Sequence, residues 1–251
     1  MAKKMFEKIP KTSVRIWQPV IKKLNAKMEA ACLRRDAYIR RVLEIEIERL
    51  DEDVSIPNSK QSHDFVLDRL DQFDRKPVSL VIPHELTARL NDICNRKLIV
   101  RDAFFNRLFV LLAAAPSDID RLFFSDAEDD WRSEVWSEYR NDGPFFQNGF
   151  SPLDPIVDPF WGIRCGLEIL AERDTLEDYL VPATGQSIRI RRGIADEPEP
   201  ERSLYSTVFE VNTSRGRDLL GLSCYLPDSR VPEHPAAKKR MAAIDALLAE
   251  M

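Results

Sequence analysis

Long apolar runs are missing from this chain: among its 251 residues no stretch approaches the roughly 18 to 20 apolar residues of a membrane-spanning helix. The opening residues, Met1-Ala2-Lys3-Lys4-Met5-Phe6, also lack the apolar segment of a signal peptide. Both absences lead us to expect a cytoplasmic protein with no membrane partner. Cysteine is scarce, and Cys32, Cys94, Cys165 and Cys224 form no CxxC pair, while the three histidines fall at no metal-ligand spacing. No metal and no cofactor are expected, and the thiols are expected to be reduced and mostly buried. Lysine is absent from 98 to 237 and histidine between His84 and His234. A nuclease site needing a strand lysine beside paired carboxylates lacks its cation there, and a histidine acid–base site would have to recruit His84 or His234. No P-loop and no GxSxG occurs. Scattered acids such as Glu168, Asp174 and Glu210 make no constellation, so we expect no catalytic residues and no enzyme.

An apolar content of 44% suffices for packed cores. The net charge of −5 conceals a sorting of charge along the chain. Residues 1–41 hold seven Lys and five Arg against Glu7, Glu29 and Asp36, a net +9, which leaves −14 for the remainder. A charge run is ordinarily a solvated face. This one coincides with a repeated motif.

Arg35-Asp36-Ala37-Tyr38-Ile39-Arg40-Arg41-Val42-Leu43 aligns with Arg101-Asp102-Ala103-Phe104-Phe105-Asn106-Arg107-Leu108-Phe109 at an offset of 66. Without a gap, the same offset places Leu24-Asn25 on Leu90-Asn91 and Ser13 on Ser79. Over positions 12–43, eight of 32 residues are identical. Within each copy the apolar period changes from two to about 3.6, which predicts a strand followed by two helices. In the first copy Val14 and Ile16 alternate with Ser13 and Arg15, and Pro19 suits a helix opening. Ile21, Leu24, Met28 and Ala31 then share one face of a helix over about Gln18 to Ala31. A second helix begins near Arg34, carries Tyr38, Ile39, Val42 and Leu43, and runs on through the acidic Glu44–Asp53 segment. The second copy repeats the plan with Pro83, Leu86, Leu90 and Ile93, then Phe104, Phe105, Leu108 and Leu111. One strand and two short helices bury too little surface to stand alone. Antiparallel pairing of the two strands would let four helices wrap a shared core beneath an exposed two-stranded ribbon.

Thr12-Ser13-Val14-Arg15-Ile16, the amphipathic helix after it, and Arg34 to Leu43 resemble the ribbon-helix-helix superfamily of bacterial and phage DNA-binding proteins, the Arc, MetJ and CopG group. The resemblance covers about residues 11–50 and 76–115, with both units in one chain as in the relaxosome protein TraY. It implies that double-stranded DNA is the partner, in the nucleoid, and that outward strand side chains meet base edges. Those are Lys11, Ser13 and Arg15 in the first unit, and Ser79 and Val81 beside Pro77 in the second. It further implies phosphate contacts at the start of each second helix, from Arg34, Arg35 and Arg101, joined by a basic arm of Lys3, Lys4 and Lys8. The donor-poor second strand predicts an asymmetric DNA site. Family turns between the helices often hold Gly, whereas Ala31-Cys32-Leu33 and Lys97-Leu98-Ile99 hold none.

The expected fold is mainly α with a two-stranded antiparallel ribbon, as tandem ribbon-helix-helix units, followed by a small α+β domain. We assign 1–10 to the basic arm, 11–53 to the first unit, 54–75 to a linker with a short helix over Asp64–Phe73, and 76–115 to the second unit. Residues 116–251 form the α+β domain, for assembly or for binding a protein partner or effector. Within it we expect helices over Ser125–Arg140, Gly162–Arg173 and Pro235–Glu250. Strands are expected over Ser187–Arg192, Ser203–Val211 and Asp218–Leu226, with the acidic residues 196–201 as an exposed loop. The function expected first is transcriptional repression in a bacterium, plasmid or phage. The alternatives are a relaxosome or partition accessory factor and an antitoxin-like autoregulator whose C-terminal domain binds a partner protein.

Overall fold

A computed structural model describes residues 11–124, 158–174, 176–181, 186–191, 200–209, 218–232 and 234–239. The chain is mainly helical, with a two-stranded antiparallel sheet near its N-terminus. Strand β1 (Lys11–Trp17) alternates exposed Lys11, Ser13 and Arg15 with buried Val14 and Ile16. Helix α1 (Gln18–Ala30) starts at once, with Pro19 in its first turn where a missing N–H costs nothing. It buries Val20, Ile21, Leu24 and Met28. Its end is closed by Cys32 in the left-handed region, φ 54°, which lets Leu33 N–H reach back to Met28 C=O at 2.9 Å. Helix α2 (Arg35–Asp53) follows and runs through the acidic segment as expected.

Helix α3 (Lys60–Asp71) begins four residues before the expected Asp64, because Ser59 caps it by accepting the Ser62 N–H at 3.0 Å. The second strand–helix–helix unit is β2 (Arg75–Val81), α4 (His84–Lys97) and α5 (Arg101–Ala113). Its inter-helix turn repeats the first, with Leu98 at φ 50° and Ile99 N–H on Cys94 C=O at 2.9 Å. Strands β1 and β2 pair antiparallel in a register that sets Ser13 opposite Ser79, its own repeat equivalent. A local twofold axis therefore passes through that pair. The packing obeys it: α1 meets α5 as α4 meets α2, and α5 meets β1 as α2 meets β2.

The copies differ in burial. Helix α2 buries one stripe, whereas every residue of α5 from Ala103 to Phe109 is buried. The cover on α5 comes from the second half of the chain. Helix α6 (Pro116–Phe123) and helix α7 (Trp161–Asp174) contribute Ile119, Phe123, Ile163 and Leu167 to one buried cluster with Leu43, Phe104 and Leu108. Tyr205, Phe209, Leu222 and Leu226 join the same cluster. The expected helix at 162–173 is α7, and the expected strand at 187–192 is β4 (Gln186–Arg191), paired antiparallel with β3 (Leu176–Val181).

Two strand expectations fail. Residues 203–207 form a turn in which Ser203 and Ser206 hydroxyls accept each other's N–H at 3.2 and 2.8 Å, and the Thr207 hydroxyl donates to Ser203 C=O. Such local side-chain bonds compete with a strand ladder for the same backbone groups. The stretch 218–226 holds a 3-10 turn at Leu220–Leu222, closed by Ser223 N–H on Leu220 C=O at 3.0 Å, and no strand. The helix expected at 125–140 lies outside the described residues, and so do most of the loop 196–201 and of the helix 235–250. Cys94 and Cys224 are buried, Cys165 is half-buried and Cys32 is exposed, and none of them is in a disulfide. Burial pushes the Cys94 and Cys224 thiols up to about 12, which keeps them protonated.

Candidate nucleic-acid interface

The outer face of the ribbon carries Lys11, Ser13 and Arg15 on β1, opposite Val81, Ser79 and Pro77 on β2. All are exposed except Val81, which is half-buried. Thr12, Val14 and Ile16 turn the other way with Leu80 and Val78, toward the helices. The five base-contact candidates, Lys11, Ser13, Arg15, Ser79 and Val81, thus share one face. Pro77 fits here without loss. The N–H and C=O of its partner Arg15 both point off the ribbon, so this pair exchanges no ladder bonds and a missing N–H leaves no gap.

What those outward backbone groups meet is the Arg-Asp pair that the repeat conserves between its copies. Asp102 Oδ2 accepts the Arg15 N–H and Asp36 Oδ2 accepts the Val81 N–H, each at 3.3 Å. Arg101 donates to Ser13 C=O at 3.3 Å and Arg35 donates to Ser79 C=O at 3.1 Å. Each second helix therefore caps the free edge of the other copy's strand with its first-turn side chains, a twofold-related exchange. Unpaired edge groups are otherwise open to other chains. The phosphate contacts that the resemblance implies for Arg35 and Arg101 gave no sign of this edge-capping role.

One residue extends this clamp on one side alone. Buried Asn106 accepts the Trp17 N–H at 2.8 Å and donates to Arg15 C=O at 2.8 Å, imitating a further strand beside β1. Its repeat equivalent is Arg40, and the equivalent of Trp17 is Pro83, which has no N–H to offer. β1, with its row of donors, is held more completely than β2.

Arg34 and Arg35 stand where expected, at the start of α2, and they do not stand alone. Together with Arg40, Arg41, Asp36, Ala37, Glu44 and Val81 they line a cleft of about 720 Å³ between α2 and the end of β2. Arg34, Ala37, Arg41 and Glu44 recur at spacings of three and four, which is the signal in the sequence that they share one side of α2. Arg40 and Arg41 donate to Glu44 at 3.1 and 3.0 Å. Burial works against ionisation of Glu44, but the bonds from Arg41 and Arg40 prevail and hold its carboxyl below the usual range. In the second copy, Val100, Arg101, Asn106 and Arg107 occupy the matching positions. Arg107 is fully buried, stacks 3.8 Å from the Phe209 ring centroid and donates to Leu204 and Thr207 carbonyls at 2.8 and 2.9 Å. Lys3, Lys4 and Lys8 lie outside the described residues.

Among the described residues no group of His, Cys, Asp and Glu is placed to hold a metal, and no helix is long and apolar enough to cross a membrane. Compared with models of known protein families, with curated proteins and with solved structures, the chain matches none.

Proposed function

We propose that this chain is a sequence-specific double-stranded DNA-binding protein of the ribbon-helix-helix kind, most simply a transcriptional repressor, which inserts the β1–β2 ribbon into the major groove. The observation that carries the reading is the exposed row Lys11, Ser13 and Arg15 on a ribbon whose opposite face is buried. A two-stranded ribbon is among the few elements that fit the major groove. Arg15 offers guanine O6 and N7 two parallel donors, Ser13 both donates and accepts, and Lys11 serves a base or a phosphate. Ser79 and Val81 supply one hydroxyl and one apolar contact, the latter suited to a thymine methyl. Arg35 and Arg101 anchor the backbone on either side of the ribbon, with Arg34 on the first.

The test is selection of a preferred duplex from random DNA by the whole chain, followed by titration of Arg15→Ala on the selected site. Because Arg15 is exposed, the variant keeps its fold, and losing a bidentate base contact costs about 1 to 3 kcal/mol on that site. A chain that binds no duplex saturably at low salt refutes the proposal.

A further inference from the structure

We infer that the protein grips the DNA backbone with the α2 cleft on one flank of its site only, Arg40 and Arg41 taking phosphate oxygens beyond the reach of Arg34 and Arg35. This rests on the DNA-binding reading above and adds a polarity to it. The repeat gives both copies a second helix, but the two helices have been put to different use. On α2, four arginines face one open cleft against Asp36 and Glu44, a net charge of +2 beside the ribbon edge at Val81. On α5 the matching four positions leave half-buried Arg101 as the one cation in reach of solvent, because Val100 is buried, Asn106 holds β1 and Arg107 is packed on Phe209.

The chemistry of the cleft suits phosphate. Arginine presents planar, paired donors that match phosphate oxygens, and a groove-bound ribbon brings the sugar–phosphate backbone past its own edges. The pairs that Arg40 and Arg41 make with Glu44 are no obstacle: their side chains are 46% and 58% exposed, and exposed ion pairs of this spacing are weak. Exchanging one carboxylate for a strand of phosphates is a gain for both arginines. Glu44 then stands as a brake on the cleft, repelling the phosphates it faces.

The experiment uses the full chain on a duplex carrying its selected site with equal flanks, read by hydroxyl-radical footprinting and by the dependence of affinity on salt. Protection should extend further on one flank than on the other. The R40A/R41A double variant should lose that extra protection and leave the opposite flank unchanged. Its plot of log affinity against log salt should be shallower by about 0.9 for each phosphate released. Glu44→Gln should bind more tightly than the natural chain, with the excess vanishing at high salt. Circular dichroism melting checks that the variants fold, as expected for exposed Arg40 and Arg41 and half-buried Glu44. Equal protection of both flanks, or an unchanged salt slope in the double variant, overturns the one-flank grip while leaving DNA binding standing. Failure of the natural chain to select any duplex overturns both.

Discussion

Leu98 holds a backbone conformation that suits glycine. At φ 50° its Cβ crowds the following carbonyl, a cost of about 1–2 kcal/mol for a residue with a side chain. Glycine's greater freedom in the unfolded chain recovers part of this, about 0.5–1 kcal/mol. Leu98 is exposed, so its side chain returns little by burial, and its carbonyl keeps the 3.1 Å bond from Asn58 in any substitution. Leu98→Gly should therefore stabilise the fold by about 0.5 kcal/mol, raising the melting temperature by about 1–2 °C in a thermal melt. The turn was legible as a departure from glycine, but its consequence was not, because only the backbone angle says that Cys32 and Leu98 have stayed in the strained position. Asn106 shows the opposite limit. An asparagine within Phe104-Phe105-Asn106-Arg107-Leu108 gives no sign that it will imitate a strand, since its partners lie in β1, some 90 positions earlier.

At the scale of elements, the strands and the helices α1, α2 and α4 were readable because each faces water on one side, which writes a period of two or 3.6 into the sequence, while α5, buried from Ala103 to Phe109, was readable through its match to α2. The second half offered less of this pattern. Residues 203–207 hold Leu204 and Tyr205 between hydroxyl-bearing residues, and those hydroxyls turn back onto the local backbone. The 3-10 turn at Leu220–Leu222 depends on an approach that no pattern encodes: a Cβ added to Gly221 would lie 2.5 Å from the Leu70 amide nitrogen of α3. Neither backbone can yield by rotating a side chain. Gly221→Ala should force the turn away from α3 and destabilise the protein by about 1–3 kcal/mol, measured by denaturant unfolding. If this turn is what seats the segment on α3, Gly221→Ala should also raise the proteolysis rate around residue 220 while that within β1 and α1 stays as it was.

Across the whole molecule, the two halves are joined by charge as well as by apolar packing. Glu46, in the acidic Glu44–Asp53 segment of α2, is fully buried and accepts from Arg164 of α7 at 2.8 Å and from the Tyr205 hydroxyl at 2.6 Å. Arg164 also grips both oxygens of Asp158, at 2.8 and 2.9 Å. The second oxygen of Glu46, Oε1, finds no hydrogen-bond partner among the described residues. Burial pushes the Glu46 carboxyl above its usual range against the pull of Arg164, and Asp53, close by on the same helix, is pushed the same way by its own burial. An acid whose folded pKa is raised binds its proton more readily in the folded state than in the unfolded one. Its contribution to stability is therefore present below the unfolded value, near 4.5, and fades as pH climbs through the higher folded value. Glu46→Gln removes that titration while keeping an acceptor for Arg164 and Tyr205. In denaturant titrations from about pH 8 down to about pH 5, the natural chain should gain stability relative to the variant as pH falls. A difference that stays constant over that range would mean that Glu46 remains ionised in the fold, held by Arg164 alone.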